Sequence, residues 1–277
     1  MMTFRTLALA ALGLLVHGAG AQAAELRLWR LDCGTIQVND LDLFSDTFAY
    51  AGQSRKLTDG CYLIRHDADY MLWDTGLSAD LLGKPIGKEA LSPTLDRTIA
   101  AQLADIDVKP EQVTTLGISH YHFDHLGQAA LFPKAKLLIG AADLAALKAE
   151  PPPFGADPAL MAPWLQGRAP LEAVAGDGDV FGDGSVTMLS MPGHTPGSHA
   201  LLVRLPKTGP VLLSGDVVHF EGQFPTGNVP SFNTDRAQSL ASMDRLRRMA
   251  ANLKAVLVVQ HDASDIAKLP AFPTGAD

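Results

Sequence analysis

The chain has 277 residues, 47% of them hydrophobic, and 22 Lys and Arg against 30 Asp and Glu, a net charge of −8 at neutral pH. That length and apolar content support one large α/β unit or two small ones and exclude a disordered or fibrous chain. The acidic balance is a poor footprint for nucleic acid or an anionic membrane, and reads as solubility.

In chain order, the first element is one to be removed. Arg5 precedes an apolar run at residues 7–16, too short to span a bilayer, and Ala21-Gln22-Ala23 offers a small-x-small cleavage site. Residues 1–23 read as a signal peptide, with a buried N-terminal helix as the alternative. The mature domain, residues 24–277, is then expected to be exported, periplasmic or secreted, and no other stretch reads as membrane-spanning.

Residues 26–33 predict a strand. Residues 34–56 carry Leu41, Leu43, Phe44, Phe48 and Tyr50 without a period and predict a packed loop. Residues 61–65 and 70–73 predict a hairpin turning at 66–69, its second strand ending at Asp74-Thr75-Gly76. Cys33 and Cys61 both fall in strand-like segments; a disulfide and two separate buried thiols fit equally well. A helix is expected at 95–103 and a short buried strand at 113–118. That strand runs into Ser119-His120-Tyr121-His122-Phe123-Asp124-His125.

A strand at 136–139 and a helix at 141–148 follow. The proline-rich stretch 150–170, with Phe154, Met161, Trp164 and Leu165, predicts either a lid or a surface excursion packed on its own apolar side chains. Strands at 186–191, 200–203 and 211–213 lead toward His194 and Asp216. Thr234 is placed to cap a helix reaching about residue 252, with Leu240, Met243, Leu246 and Met249 as its core stripe. A last strand, 255–259, ends at His261. Strands and helices alternate, and each candidate ligand follows a strand, where α/β folds place their sites.

His120, His122, Asp124, His125, His194, Asp216 and His261 form a set of seven metal-ligand groups. Imidazole and carboxylate suit zinc and related first-row divalent ions. His120 and His122, two apart in an extended turn, can point to one ion. Asp124 and His125, entering a helix, can reach a second. Asp216 has two oxygens and can bridge. His194 completes the first ion and His261 the second, each leaving an open position for water, the mark of a catalytic site. His66 and His199 lack such context and read as structural.

Asp74-Thr75-Gly76, the His120–His125 motif, Gly193-His194, Ser214-Gly215-Asp216 and His261 resemble the metallo-β-lactamase superfamily, over residues 25 to 262. The resemblance implies an α/β fold, a four-layer αββα sandwich with two zinc ions at one edge of the paired sheets. It implies His120, His122 and His194 on the first ion, Asp124, His125 and His261 on the second, and Asp216 between them. Within the superfamily the chain is most similar to N-acyl homoserine lactonases, through residues 119–127, Gly193-His194-Thr195-Pro196-Gly197 and Asn233-Thr234-Asp235. Those lactonases often carry a tyrosine three residues after the bridging aspartate; here that position is His219. A homodimer is also implied.

The expected reaction is opening of a small-molecule lactone, a quorum-quenching activity. A hydroxide held between two zincs attacks the carbonyl, His219 assists as electrophile, and Asp124 protonates the leaving ring oxygen. Apolar side chains from 41–50 and 154–165 are candidates to hold the acyl chain. A class B3-like β-lactamase and a phosphotriesterase or arylesterase with the same metal site are the rival enzymes, Asp216 weighing against the first. A metal-binding protein that only kept the scaffold is the non-enzyme rival.

Overall fold

The computed structural model describes residues 24–277; the expected signal peptide, residues 1–23, lies outside the described residues. Seven strands form the first sheet: β1 (Leu26–Val38), β2 (Arg55–His66), β3 (Asp69–Trp73), β4 (Leu91–Thr94), β5 (Val113–Ile118), β6 (Lys136–Gly140) and β7 (Leu171–Val174), in the order β4-β1-β2-β3-β5-β6-β7. Five form the second: β8 (Gly178–Asp179), β9 (Val186–Ser190), β10 (His199–Leu205), β11 (Gly209–Leu213) and β12 (Val256–Val258), in the order β12-β11-β10-β9-β8. The helices are α1 (Ile99–Ala104), α2 (Phe123–Leu126), α3 (Ala141–Leu147), α4 (Ala162–Leu165), α5 (Gln223–Thr226), α6 (Arg236–Leu253) and α7 (Ala263–Ile266).

Side-chain alternation along the strands builds four layers. Leu28, Tyr62, Ile64, Met71 and Trp73 of the first sheet meet Val186, Met188, Leu201, Val203 and Leu213 of the second. On the opposite face of the first sheet, Trp29, Leu31, Leu63, Leu72 and Leu116 pack on Ile99, Leu103, Leu144, Leu147 and Trp164 from α1, α3 and α4. On the outer face of the second, Leu189, Leu202 and Leu212 pack on Met243 and Leu246 of α6, with Leu240 and Met249 alongside. The expected apolar stripe of α6 is therefore core. Each such large apolar side chain, fully buried, contributes roughly 1.5–3 kcal/mol. The result is the expected αββα sandwich. Among the described residues, no helix is long and apolar enough to cross a membrane.

Several boundaries differ from the sequence reading, the main ones for local reasons. β1 does not stop at Cys33: a register shift between Asp32 and Gly34 absorbs the glycine, and pairing resumes to Val38↔Arg55. The expected loop thus shrinks, and β4 adds an edge strand whose Pro93 is tolerated there. The helix expected from residue 95 starts at Ile99, because Thr98 caps it through the Ala101 N–H. Asp235, not Thr234, caps α6: its carboxylate accepts from Gln238, while the Thr234 hydroxyl donates to the Gly193 carbonyl.

Cys33 and Cys61 form a disulfide, Cα atoms 5.8 Å apart, across β1 and β2. Gly76, at φ +60°, packs directly on it: a Cβ there would lie 2.3 Å from that of Cys33. The bond therefore braces the turn that carries Asp74. Closing a loop of sequence separation 28 is worth about 3–4 kcal/mol by chain entropy. Cys33→Ser with Cys61→Ser is expected to lower the melting temperature by roughly 10 °C, read by calorimetry on oxidised protein. An unchanged melting temperature in the double variant would remove this bracing role.

Candidate metal centre

β5, β9, β11 and β12 end at one edge of the sandwich, and each releases its candidate ligands there. After β5, His120 and His122 flank an extended turn, and His122 precedes α2, whose first turn carries Asp124 and His125. After β11 the chain turns at Gly215, where φ is +52° and a Cβ would lie 2.8 Å from the His199 carbonyl and 3.1 Å from the Ser119 side chain. Only glycine lets Asp216 approach this closely.

The seven expected ligands come together as two adjoining clusters, and all are buried. In the first, His194 Nε2 lies 3.1 Å from His120 Nε2 and 2.9 Å from His122 Nδ1. In the second, His125 and His261 place Nε2 3.4 and 3.0 Å from Asp216 Oδ1, with Asp124 Oδ2 3.9 Å from each imidazole. The other oxygen of Asp216, Oδ2, faces the first cluster, 3.4 Å from His194 Nε2 and 3.7 Å from His120 Nε2. One carboxylate thus presents one oxygen to each cluster.

Outer hydrogen bonds fix which nitrogen each ring turns inward. His194 Nδ1 donates to Asn233 Oδ1 at 2.8 Å, His261 Nδ1 to the Thr58 carbonyl at 2.7 Å, and His125 Nδ1 to Asp74 Oδ2 at 2.9 Å. Their Nε2 atoms are turned inward, the arrangement that orients metal-bound histidines. His125 Nε2 and Asp216 Oδ1 are buried without a hydrogen bond among the described residues. Donor atoms converging at about 3 Å suit a cation: two ligands at about 2.0–2.1 Å from one ion sit about 3 Å apart. The donor set suits a divalent metal.

Charge divides the clusters. Burial drives the His120 and His194 imidazoles well below their ordinary range and His122 down to about 4, so the first three are neutral near pH 7. Burial also opposes charge on His125 and His261. There the Asp216 carboxylate outweighs it, helped by Asp74 and Asp124 at His125 and by Asp124 and Asp59 at His261. His125 rises well above its ordinary value and His261 to about 9. Burial likewise pushes the Asp216 carboxyl up, but His261, His125, His219 and His120 hold it well below the usual carboxylate range.

A family model described as the metallo-beta-lactamase superfamily matches residues 61–261. The chain belongs to this superfamily. It is 26% identical to the N-acyl homoserine lactonase AttM of Azorhizobium caulinodans over 252 residues, 86% of this chain and 94% of that one. Among solved structures, an N-acyl homoserine lactone hydrolase with N-hexanoyl-L-homoserine at its catalytic metal centre superposes with a TM-score of 0.77 at 21% identity, covering 92% of this chain and 100% of that one. The dizinc quorum-quenching lactonase AidC gives 0.66 at 20% identity, over 87% and 88%. With the ligand clusters, these relationships make this metallo-beta-lactamase superfamily member a metal-dependent hydrolase.

His219 enters the site as expected. Its Nε2 lies 3.2 Å from Asp216 Oδ2, its ring meets Phe44 edge-on at 4.9 Å, and its backbone N–H donates to Gln223. His66 pairs with Asp183 at the surface, and both His199 ring nitrogens face backbone carbonyls, so neither joins the clusters. The 150–170 stretch is a packed excursion, the second of its two expected readings. Met161 and Trp164 are buried, with Trp164 Nε1 donating to the Ala135 carbonyl, while the tip reaches the site. A Cβ at Gly155 would lie 2.4 Å from the His122 ring, and Phe154 hangs exposed 6.2 Å from it.

Sequence reasoning passed over the roles of Asp74, Asn233, Thr58 and Gln260 behind the ligands. Asp74 accepts from the Ser119 N–H and from Gln260 as well as from His125, at a left-handed φ of +59°. The Asp-Thr-Gly sequence that ends β3 was its visible signal. The cleft over the clusters is walled by Ile36, Phe44, Leu57, Leu91, Phe123, Phe154 and Phe232, with no Lys or Arg among its lining residues.

Proposed function

We propose that this chain opens the lactone ring of N-acyl homoserine lactones using two zinc ions. The observation that carries the two-ion reading is Asp216, whose two oxygens face two separate ligand clusters. His120, His122 and His194 would hold the first ion, Asp124, His125 and His261 the second, and Asp216 both. When bound, such a metal pair lowers the pKa of water toward 7 and polarises a carbonyl. The lactone assignment draws on the lactonases to which the chain is similar. It also draws on the cleft, whose apolar walls suit an acyl chain and whose lining lacks the cation a cephalosporin carboxylate would seek.

Addition of water to the carbonyl carbon and cleavage of the ring C–O bond yield an N-acyl homoserine. The proton lost by the water must reach the leaving oxygen. Asp124 lines the cleft, and a carboxylate oxygen not held on the ion could relay that proton. His219 Nε2, beside Asp216, is placed to donate a hydrogen bond to the developing oxyanion. Phe44 fixes the ring that does so. Export fits the Cys33–Cys61 disulfide, since such bonds persist in oxidising compartments.

The test is acid release by zinc-loaded protein from hexanoyl and dodecanoyl homoserine lactones, beside a cephalosporin and an aryl phosphotriester. Both lactones are expected to open faster than either rival is consumed. Preferential turnover of the phosphotriester or the cephalosporin would transfer the function to that rival.

A further inference from the structure

Asp143, in the first turn of α3, is fully buried and touches none of the seven ligand side chains through a hydrogen bond. Its Oδ2 accepts from the Tyr121 N–H at 3.2 Å and the Thr195 hydroxyl at 2.7 Å, and its Oδ1 accepts from the Gly197 N–H at 2.6 Å. Tyr121 stands between His120 and His122, and Thr195 follows His194. One carboxylate therefore ties together the two loops that carry all three imidazoles of the first cluster.

The contact is built rather than incidental. A Cβ at Gly197 would lie 2.4 Å from the Asp143 nitrogen and 2.9 Å from its side chain, and one at Gly140 only 2.0 Å from the Gly197 carbonyl. α3 thus docks its first turn against the 193–197 loop with no space for a side chain between them. Burial pushes the Asp143 carboxyl up to about 7, although the three hydrogen bonds pull the other way. A buried carboxylate without a cationic partner is costly unless its hydrogen bonds are charge-assisted.

Asp74 occupies the matching position behind the second cluster, where it accepts from His125 directly. We infer that Asp143 is the positioning residue of the first ion, as Asp74 is of the second, so that each ion has its own buried carboxylate anchor. The inference rests on the two-ion reading above. Asp143→Asn keeps the shape but turns an amide NH2 toward one of the three donors, so at least one tie becomes repulsive. Thr195→Val removes the hydroxyl tie, with that hydroxyl's contact to Ser198 Oγ, and leaves the two backbone ties to Asp143.

The test is stepwise titration of the metal-free full chain with cobalt(II) against a chromophoric chelator, with ring N–H signals followed by paramagnetic NMR. Asp143→Asn is expected to weaken one equivalent by about 10–100-fold, the range for outer-shell partners, and to leave the other at parental affinity. At one equivalent its shifted N–H signals should come from His125 and His261 and not from His120 or His194. Thr195→Val should weaken the same equivalent less, and it carries the test if Asp143→Asn does not fold. Parental affinity for both equivalents in Thr195→Val and Asp143→Asn would overturn the inference, as would equal weakening of both. The titration contains no lactone, so its outcome is independent of which substrate the enzyme takes.

Discussion

Asp216→Ala is expected to reduce bound metal from two equivalents to one or none and to lower lactone turnover on the order of 1000-fold. The size follows from the chemistry the side chain supports. A metal pair supplies several kcal/mol of transition-state stabilisation, and each 1.36 kcal/mol is tenfold in rate. Asp216 presents one oxygen to each cluster, Oδ1 at 3.0 Å from His261 Nε2 and Oδ2 at 3.4 Å from His194 Nε2. Its loss also strips His125 and His261 of the carboxylate that most favours their charged forms. Metal analysis and steady-state kinetics on the same preparation check both halves. Two retained equivalents with near-parental turnover would remove Asp216 from its bridging role.

The seven candidate ligands were legible because each follows a short apolar strand, and the strand ends converge at one edge once the strands are paired. His219 was legible by its offset from Asp216. The partners behind the ligands were harder to read, because their role exists only in three dimensions. Asp143 looks like any acidic residue in a helix's first turn, and only the close approach of Gly197 to α3 turns it into a clamp. Asn233 reaches His194 from 39 residues away. The same limit hid the continuation of β1 past Cys33, where local chemistry reads a glycine as a stop and sheet pairing makes it a bulge. It also hid the choice between Thr234 and Asp235, both good caps, which was decided by where the Gly193 carbonyl lies.

Metal removal is expected to destabilise the protein and to give it a pH dependence that the loaded form lacks. A single ion held at a thousandfold excess over its dissociation constant adds about 4 kcal/mol, so chelation should lower the melting temperature by roughly 10 °C. In the metal-free protein the two clusters then pull in opposite directions. His261, raised to about 9, and His125, raised well above its ordinary value, bind protons more tightly folded than unfolded. Their contribution is fully present below the unfolded value of about 6.5 and is lost as pH rises above it, for His261 through about 9. His122, lowered to about 4, and His120 and His194, lowered well below their ordinary range, bind protons less tightly when folded. Their contribution is present above about 6.5 and is lost as pH falls below it, for His122 through about 4. Metal-free protein should therefore be most stable near pH 6.5 and weaken on both sides. In loaded protein the ligands are already deprotonated, and rising pH removes proton competition for the metal. The gap in melting temperature between loaded and chelated protein should widen from pH 7 to pH 9. Calorimetry of both forms from pH 5 to 9.5 measures it. A metal-free melting temperature that stays flat or climbs between pH 7 and 9 would mean that His125 and His261 are not held as cations by Asp216.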